Sequence, residues 1–550
     1  MSNTSTAPPT EDNIGRNSVL MFIGTFGSRI LGFIRGALLT LVAGAALAAD
    51  SFTLGNSLPT LVYVMINGGL LSAVLIPQLV KAMARSDRGQ DFTDRLITLS
   101  LLVLGAVTLL CLVATPWIVN ALSSNKDPQF LSLTVMFAYI CMPQIFFYGL
   151  YSVLGQVLNA HGRFAAFAWA PAWANVINII GLVWFLLAWG RQPDVQTWTT
   201  EMVWVLAGST TLGILAQGVG LLIPLRRTGF HYRPRFGWRG YGFGEVSRMA
   251  LWTMAALTIT QAVGLVTVRA LTVGASQMDN VAGNAVQQYA YSLFILPHSL
   301  ITVSIVTALF PAMSRAVERA DTAGLRALVV KGLTAPAVLI IPASASLIAL
   351  GQPMASTLYP GLRYDAAAGI NERWDVALVL ALMAIGTLPL GLTAVKQRYA
   401  FARVDGWFNL WTVSVMAAGN LITAYLAMFH TPPQYVVAVV ALGASLSSTA
   451  AALCFIVVAR RQLDGLELPR VLSLWTRVTV AAVVPAAIAW WVSTQIADAS
   501  SPWLDQALAL AVGGVILSLG FLTLGRLLRI DEVGAVLRRV AGRLTRRTSG

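Results

Sequence analysis

Charge is scarce in this 550-residue chain: Asp, Glu, Lys and Arg together make up 11% of it, against 57% hydrophobic residues. A soluble domain cannot hide that much apolar surface. Carboxylates are scarcer still, 23 against 37 Lys and Arg, and the long apolar segments hold almost none away from their ends. That argues against export of cationic drugs, which needs a carboxylate or an aromatic cage. Histidine occurs four times, scattered and without zinc spacing, so no metal site is expected. No Walker loop and no Ser/His/Asp set within reach of one face is present, and a membrane-embedded transferase would need a carboxylate or metal-ligand cluster that is missing. The chain therefore reads as a non-enzyme that calls for no cofactor. Cysteine occurs three times, at Cys111, Cys141 and Cys454, always inside apolar segments, where packing is its expected role. The first 18 residues lack a basic n-region and are rich in Ser, Thr and Pro, so they are expected to form a disordered cytoplasmic tail and not a signal peptide.

Apolar runs of ~20 residues, the length that crosses a bilayer as helix, recur along the chain. They do not alternate with period two and run past the ~10 residues of a barrel strand. The expected fold is an all-α polytopic membrane protein with about 14 transmembrane helices. They begin near Val19, Asn56, Leu96, Phe130, Arg163, Glu201, Met249, Asn284, Leu328, Asp375, Trp407, Tyr435, Leu472 and Trp503. The net charge of +14 raises nucleic acid as a partner, but the cations fall in alternate loops, as the positive-inside rule predicts. Lys81, Arg85, Arg88 and Arg95 share one such loop, and Arg226, Arg227, Arg233, Arg235 and Arg239 another. Asp50, Asp194 and Asp279 stand in the loops opposite. The expectation is a protein of the inner membrane with both termini cytoplasmic and no nucleic-acid partner.

An internal repeat organises the chain. Val74-Leu75-Ile76-Pro77 with Lys81 matches Ala308-Leu309-Phe310-Pro311 with Arg315 at an offset of 234, and the same offset carries Arg35 onto Arg269. A looser echo joins Asn159–Phe164 to Ala402–Trp407. Six helices separate the copies, and an even number preserves orientation, so the halves are expected to be parallel repeats. This divides the chain into a tail (1–18), an N-lobe of six helices (19–245), a C-lobe of six (246–470), two C-terminal helices (471–530) and a basic cytoplasmic tail (531–550).

Charge inside a membrane segment is expensive and marks a cavity or a pair. The run Gly27-Ser-Arg29-Ile-Leu-Gly32-Phe-Ile-Arg35-Gly36 puts two arginines in mid-segment with no nearby carboxylate. Six residues apart, they project about 120° from one another on an ideal helix. Gly27, Gly32 and Gly36 are expected to let neighbours approach closely. Arg269 is the third such residue. Arginines without carboxylates suit an anionic substrate, and phosphate matches the planar bidentate fork. Lys331, Lys396 and Arg477 lie near segment ends, where snorkelling is the default. His298, after Pro297, has two open readings: a hydrogen-bonded histidine at a proline kink, or a proton-coupling group. Asn175, Asn178 and Asn420 are intramembrane amides, read as glue between helices.

These residues give the chain a resemblance to the MurJ/MviN family, the lipid II flippases of the multidrug/oligosaccharidyl-lipid/polysaccharide exporter superfamily. It is carried by Ser28-Arg29-Ile-Leu-Gly-Phe-Ile-Arg35, Ala49-Asp50-Ser51-Phe52, Leu58-Pro59, Ile76-Pro77, Leu296-Pro297, Leu309-Phe310-Pro311 and Asn159-Ala-His-Gly-Arg163-Phe164. The resemblance implies two six-helix lobes around a cationic cavity, with Arg29, Arg35 and Arg269 on the diphosphate. It implies that the last two helices hold a polyprenyl tail in a groove. It departs from the family at Tyr63 and at Ser292, where the family carries arginines, and shows no sodium-site carboxylate near Asn420. The implied activity is flipping of lipid II, feeding peptidoglycan assembly, with cell-wall synthesis proteins as possible partners. Two rival readings are a flippase for another polyprenyl-diphosphate-linked saccharide and a non-transporting scaffold of the cell-wall machinery.

Overall fold

The computed structural model describes residues 11–66, 90–161, 163–230, 232–237, 248–277 and 281–531. The chain divides into two compact units, residues 1–261 and 262–550. In the first unit the helices are α1 (Glu11–Ala43), α2 (Leu47–Ile66), α3 (Gln90–Leu122), α4 (Pro128–Cys141), α5 (Gln144–Ala160), α6 (Phe164–Trp189), α7 (Thr200–Val219) and α8 (Leu222–Arg226). Helix α9 (Arg248–Leu271) carries the boundary between the units. The second unit continues with α10 (Gly274–Gln277), α11 (Asn284–Pro297), a π-helical turn (His298–Thr302), α12 (Val303–Glu318), α13 (Thr322–Thr334), α14 (Ala337–Ala349) and α15 (Gly351–Leu358). A two-residue hairpin pairs Tyr364–Asp365 with Ile370–Asn371, and α16 (Glu372–Ile385), α17 (Thr387–Ala402), α18 (Gly406–Phe429), α19 (Val436–Gln462), α20 (Leu468–Ile496) and α21 (Trp503–Leu527) follow.

Among the described residues, twelve helical stretches are long and apolar enough to cross a membrane, or thirteen with the bent pair α16–α17. Fourteen were expected. The expected second span falls on α2, and the residues after Ile66 lie outside the described ones, as does the Val74–Pro77 half of the repeat. Two boundaries differ from expectation. Helix α1 begins at Glu11, so residues 11–18 are helix and not part of a disordered tail. Lengthening a helix already nucleated by an apolar run requires no new nucleus. Helix α2 begins at Leu47, which moves Asp50 from a loop into its first turn, where it is buried.

The first unit's core shows why these segments pack. Leu150, Val153, Leu154, Val157 and Leu158 recur at helical spacing along α5 and meet Phe92, Leu96 and Ile97 of α3. In the second unit Val306, Leu309 and Met313 of α12 join Val329 and Leu333 of α13, Leu392 and Val395 of α17 and Phe455 of α19. Helices α20 and α21 belong to this unit: Leu474, Val478, Ala481 and Ala482 form a stripe that packs with Leu517 and Phe521 against Val338 and Ala345 of α14. The outer faces stay apolar and exposed, as at Leu187 (84% exposed), the pattern of a lipid-facing surface. Of the looser echo, Ala160 ends α5 and Phe164 opens α6, while Ala402 ends α17 and Gly406 opens α18.

Breaks within spans are repaired locally. Pro297 leads into the π-helical turn between α11 and α12, within one 35-residue span. At Gly386 the pair α16–α17 bends by 45°. Inside a bilayer no water satisfies the carbonyls that such a break frees. Ser445 of α19 does so, its hydroxyl lying 2.7 Å from the Leu382 carbonyl and 3.2 Å from that of Met383. A Cβ at residue 386 would sit 2.6 Å from Ser445 Oγ, so glycine is what admits the hydroxyl.

Candidate functional site

Helix α1 lies against α6, joined by a side-chain amide: Asn175 Nδ2 donates to the Ser28 carbonyl at 3.0 Å. The contact holds the turn that bears Arg29. Asn178 likewise donates to Thr210 Oγ1 on α7, so both amides serve as glue between helices. The close approach expected at the α1 glycines is found at Gly24, where a Cβ would lie 2.8 Å from the Trp169 ring. Gly27 has open space around it, and Gly32 meets only the Asn175 amide at 3.8 Å. Arg29 and Arg35 are both half-buried on this helix.

Around Arg35 the structure assembles residues that the motifs did not single out. Its guanidinium lies within electrostatic reach of the Tyr148 hydroxyl on α5. That hydroxyl also meets the Thr60 side chain of α2. The Tyr148 ring stacks on Tyr63 with centroids 5.2 Å apart and planes at 27°. The Tyr63 hydroxyl is hydrogen-bonded to Ser152, one turn beyond Tyr148. Tyr151 stacks on Phe167 at 4.7 Å and donates to its carbonyl at 3.2 Å. Below Thr60, Gln261 of α9 donates to the Leu61 carbonyl at 3.0 Å. Tyr63, expected as a possible cavity or coupling residue where the family carries a cation, is thus packed on Tyr148. The available signal was the spacing in Tyr148-Gly-Leu-Tyr151-Ser152, which puts Tyr148, Tyr151 and Ser152 on one face of a helix.

The other candidates lie in the second unit. Arg269 is exposed in the last turn of α9, where its carbonyl accepts from the Thr272 hydroxyl at 2.8 Å. Ser292 donates back to the Gln288 carbonyl of its own helix at 2.8 Å. Asn420 is half-buried on α18. His298 opens the π-helical turn, and among the described residues its Nδ1 is buried without a hydrogen-bond partner, as is Thr302 Oγ1. The hydrogen-bonded reading of His298 is therefore not met at Nδ1. Lys396 corrects a second expectation: it does not snorkel but is buried, 4% exposed, on α17, which packs against α12, α13 and α19. Arg477 and Lys331 are accessible, and Arg477 donates at 3.2 Å to the Arg529 carbonyl beyond α21.

A chain of stacked apolar helices with basic and hydroxyl side chains at membrane depth, and with proline and glycine breaks in its spans, defines a polytopic membrane transporter. In fold it is similar to an inward-facing multidrug resistance MATE transporter of the MOP superfamily, with a TM-score of 0.62 at 17% identity over 83% of this chain and 99% of that one. It is also similar to a lipid II flippase MurJ in an inward closed conformation, with a TM-score of 0.70 at 17% identity over 92% of this chain and 99% of that one. The model of the lipid II flippase MurJ family matches residues 40–503, and the chain belongs to that family. The family is one of transporters and not of enzymes, and the chain is a multi-pass protein of the bacterial inner membrane. A probable lipid II flippase MurJ of Vibrio cholerae is 25% identical over 62% of this chain and 65% of its own length. The lipid II flippase MurJ of Burkholderia cenocepacia is 25% identical over 74% of this chain and 76% of its own length. The matched stretch includes Tyr63, Arg269, Ser292, His298 and Asn420, and begins after Arg29 and Arg35.

Proposed function

We propose that this protein carries lipid II, the lipid-linked peptidoglycan precursor, from the cytoplasmic to the outer leaflet by alternating access. Arg29, Arg35 and Arg269 receive the diphosphate in a cationic cavity, while the polyprenyl tail stays in the bilayer along α20 and α21. Rocking of the two lobes then exposes the headgroup outside. Both termini face the cytoplasm, and cell-wall synthesis proteins take up the product. No covalent step is involved, so the driving force is an ion gradient, the membrane potential or coupling to synthesis elsewhere. His298, with its buried Nδ1, is the candidate coupling group.

The observation that carries this reading is the pair of half-buried arginines on α1, set in a chain of the lipid II flippase family. Guanidinium groups at membrane depth demand an anionic partner, and a diphosphate supplies two bidentate acceptors. A second reading, a flippase for another polyprenyl-diphosphate-linked saccharide, draws support from the hydroxyl side chains at Tyr63 and Ser292 in place of family arginines.

The test is depletion of the protein followed by a protease- or toxin-accessibility assay for externalised lipid II. Accessibility should collapse and return with the wild-type gene, but not with Arg29→Glu or Arg35→Glu expressed at normal levels. Unchanged accessibility on depletion would refute lipid II as the cargo. Full rescue by both charge reversals would favour a scaffold over a transporter.

A further inference from the structure

The following inference rests on the alternating-access reading and names a group, besides His298, that couples the cycle to protons. Lys396 is buried in α17, 4% exposed, and residues on either side of it touch other helices. A Cβ at Gly391 would lie 3.2 Å from Thr302 Oγ1, and the Arg398 guanidinium carbon lies 5.4 Å from the centre of the Phe310 ring. Helices α17 and α12 therefore run side by side past Lys396. A Cβ at Gly332 of α13 would lie 2.8 Å from Val395 Cγ1, and the Tyr399 ring meets Phe455 of α19 at 5.8 Å. Among the described residues no group accepts a hydrogen bond from the Lys396 amine and no carboxylate pairs with it. Helices α13, α14, α18 and α19 and the π-helical turn contain no Asp or Glu. Glu318 is exposed at the end of α12, and Glu372 and Asp375 open α16 at its far end. The other charges on these helices are cations: Arg398 and Arg403 on α17 itself, Arg315 on α12, Arg326 and Lys331 on α13, Arg373 on α16, Arg460 and Arg461 on α19. Their uncharged titratable groups are His298, Tyr399, Tyr425 and Cys454. An ammonium buried among these, with no counter-charge, is strongly disfavoured, so this packing suits the neutral amine. The helix that bears it is also hinged. Lys396 lies ten residues beyond Gly386, where α16–α17 bends by 45°, or about 15 Å along the helix, so a tilt of ~10° there moves it by roughly 3 Å. We propose that Lys396 is a proton carrier of the transport cycle: α17 swings about Gly386, the exposed amine takes a proton from water, and it returns that proton to water before α17 packs again.

Hydrogen–deuterium exchange on the full chain in lipid nanodiscs tests this, read at the α17 amides on either side of Lys396. A lysine in water holds its proton below about pH 10.4, so the open state binds one proton more than the packed one. Falling pH therefore favours opening, by up to about tenfold per unit. Between about pH 9.5 and 7.5, above the range in which a histidine titrates, wild-type protection should fall roughly tenfold after correction for intrinsic rates. Lys396→Met, of similar size and without charge, should be protected equally at both. Lys396→Arg, which keeps its charge throughout, should be unprotected at both; should it fail to fold, the wild type and Lys396→Met decide alone. Lys331→Met, on an exposed position of α13, should respond as the wild type does. A response that persists in Lys396→Met, or none in the wild type, overturns the proposal. In proteoliposomes an imposed pH gradient should change wild-type flux of lipid II roughly threefold or more and leave that of Lys396→Met unchanged; equal responses overturn the carrier role. The two readings separate: lipid II that stays accessible on depletion refutes the cargo without touching the exchange result, and a confirmed cargo does not rescue Lys396 where the response persists.

Discussion

Two places in the first unit hold arginine in opposite ways. Where α3 begins, Arg235 is paired with Asp91 and lies 3.6 Å from Asp94, while Arg95 donates to Asp91 at 3.1 Å. The segment 232–237 is thereby strapped onto α3. Arg233 N donates to Asp94 at 3.1 Å, Arg235 N donates to Thr98 Oγ1 at 3.2 Å, and Arg95 Nη1 donates to the Gly237 carbonyl at 2.6 Å. On α1, by contrast, Arg35 is half-buried in mid-span, on a helix that packs against α6. The first arrangement ties its arginines to the carboxylates at the start of α3. An arginine's surroundings, more than its presence, mark it as a structural clamp.

That contrast breaks most sharply under charge reversal. Arg35→Glu should abolish flipping while leaving thermal unfolding of the purified protein within ~0.5 kcal/mol of wild type, since it removes no core packing. Loss of folded protein instead would make Arg35 a structural residue. At the strap the balance should invert. Asp94→Ala removes a carboxylate with no exposed surface and strands the Arg233 amide, so it should destabilise by about 2–3 kcal/mol, with flipping per folded molecule retained. Flux lost in proportion to binding would place the strap in the transport cycle. A smaller effect is expected at the bend of α16–α17, where Ser445→Ala removes the hydroxyl donor of the Leu382 carbonyl: about 0.5–1.5 kcal/mol in a thermal shift assay.

The smallest effect concerns the loop before α21. Hydrogen bonds from the Ser500 and Ser501 hydroxyls and the Ser500 amide hold the Asp498 carboxyl below the usual carboxylate range. A carboxyl depressed in the folded state stabilises above its unfolded pKa of about 3.9 and stops doing so as pH falls through the lower folded value. Amide exchange at residues 499–501 should therefore be protected evenly from pH 7 to about 4 after correction for intrinsic rates, and lose that protection only below. Loss of protection near neutrality would contradict the assignment. Arg373, which donates to the carbonyls of Ala499 at 2.8 Å and Ser501 at 3.0 Å, should keep the loop in place through that range.

Hydropathy and loop charge made the all-helical membrane class legible, because a chain that crosses hydrocarbon must satisfy its backbone inside each segment and advertise this in long apolar runs. The arginines of α1 stood out for the same reason: at membrane depth they are expensive and hence conspicuous in the sequence. Proline marked the break before His298 but gave no sign of the π-helical turn that follows. Lys396 looked like a snorkelling lysine from its place near a segment end; only the neighbours packed around α17 decide that it is buried. Tyr148 and Tyr63 lie 85 positions apart, on different helices, and nothing local to either couples them. Membership of the membrane class, the spans and the costly charges are properties of single segments, so the sequence by itself determined them. Which hydroxyl faces which guanidinium depends on helix rotation and packing between segments, and that only the tertiary structure decided.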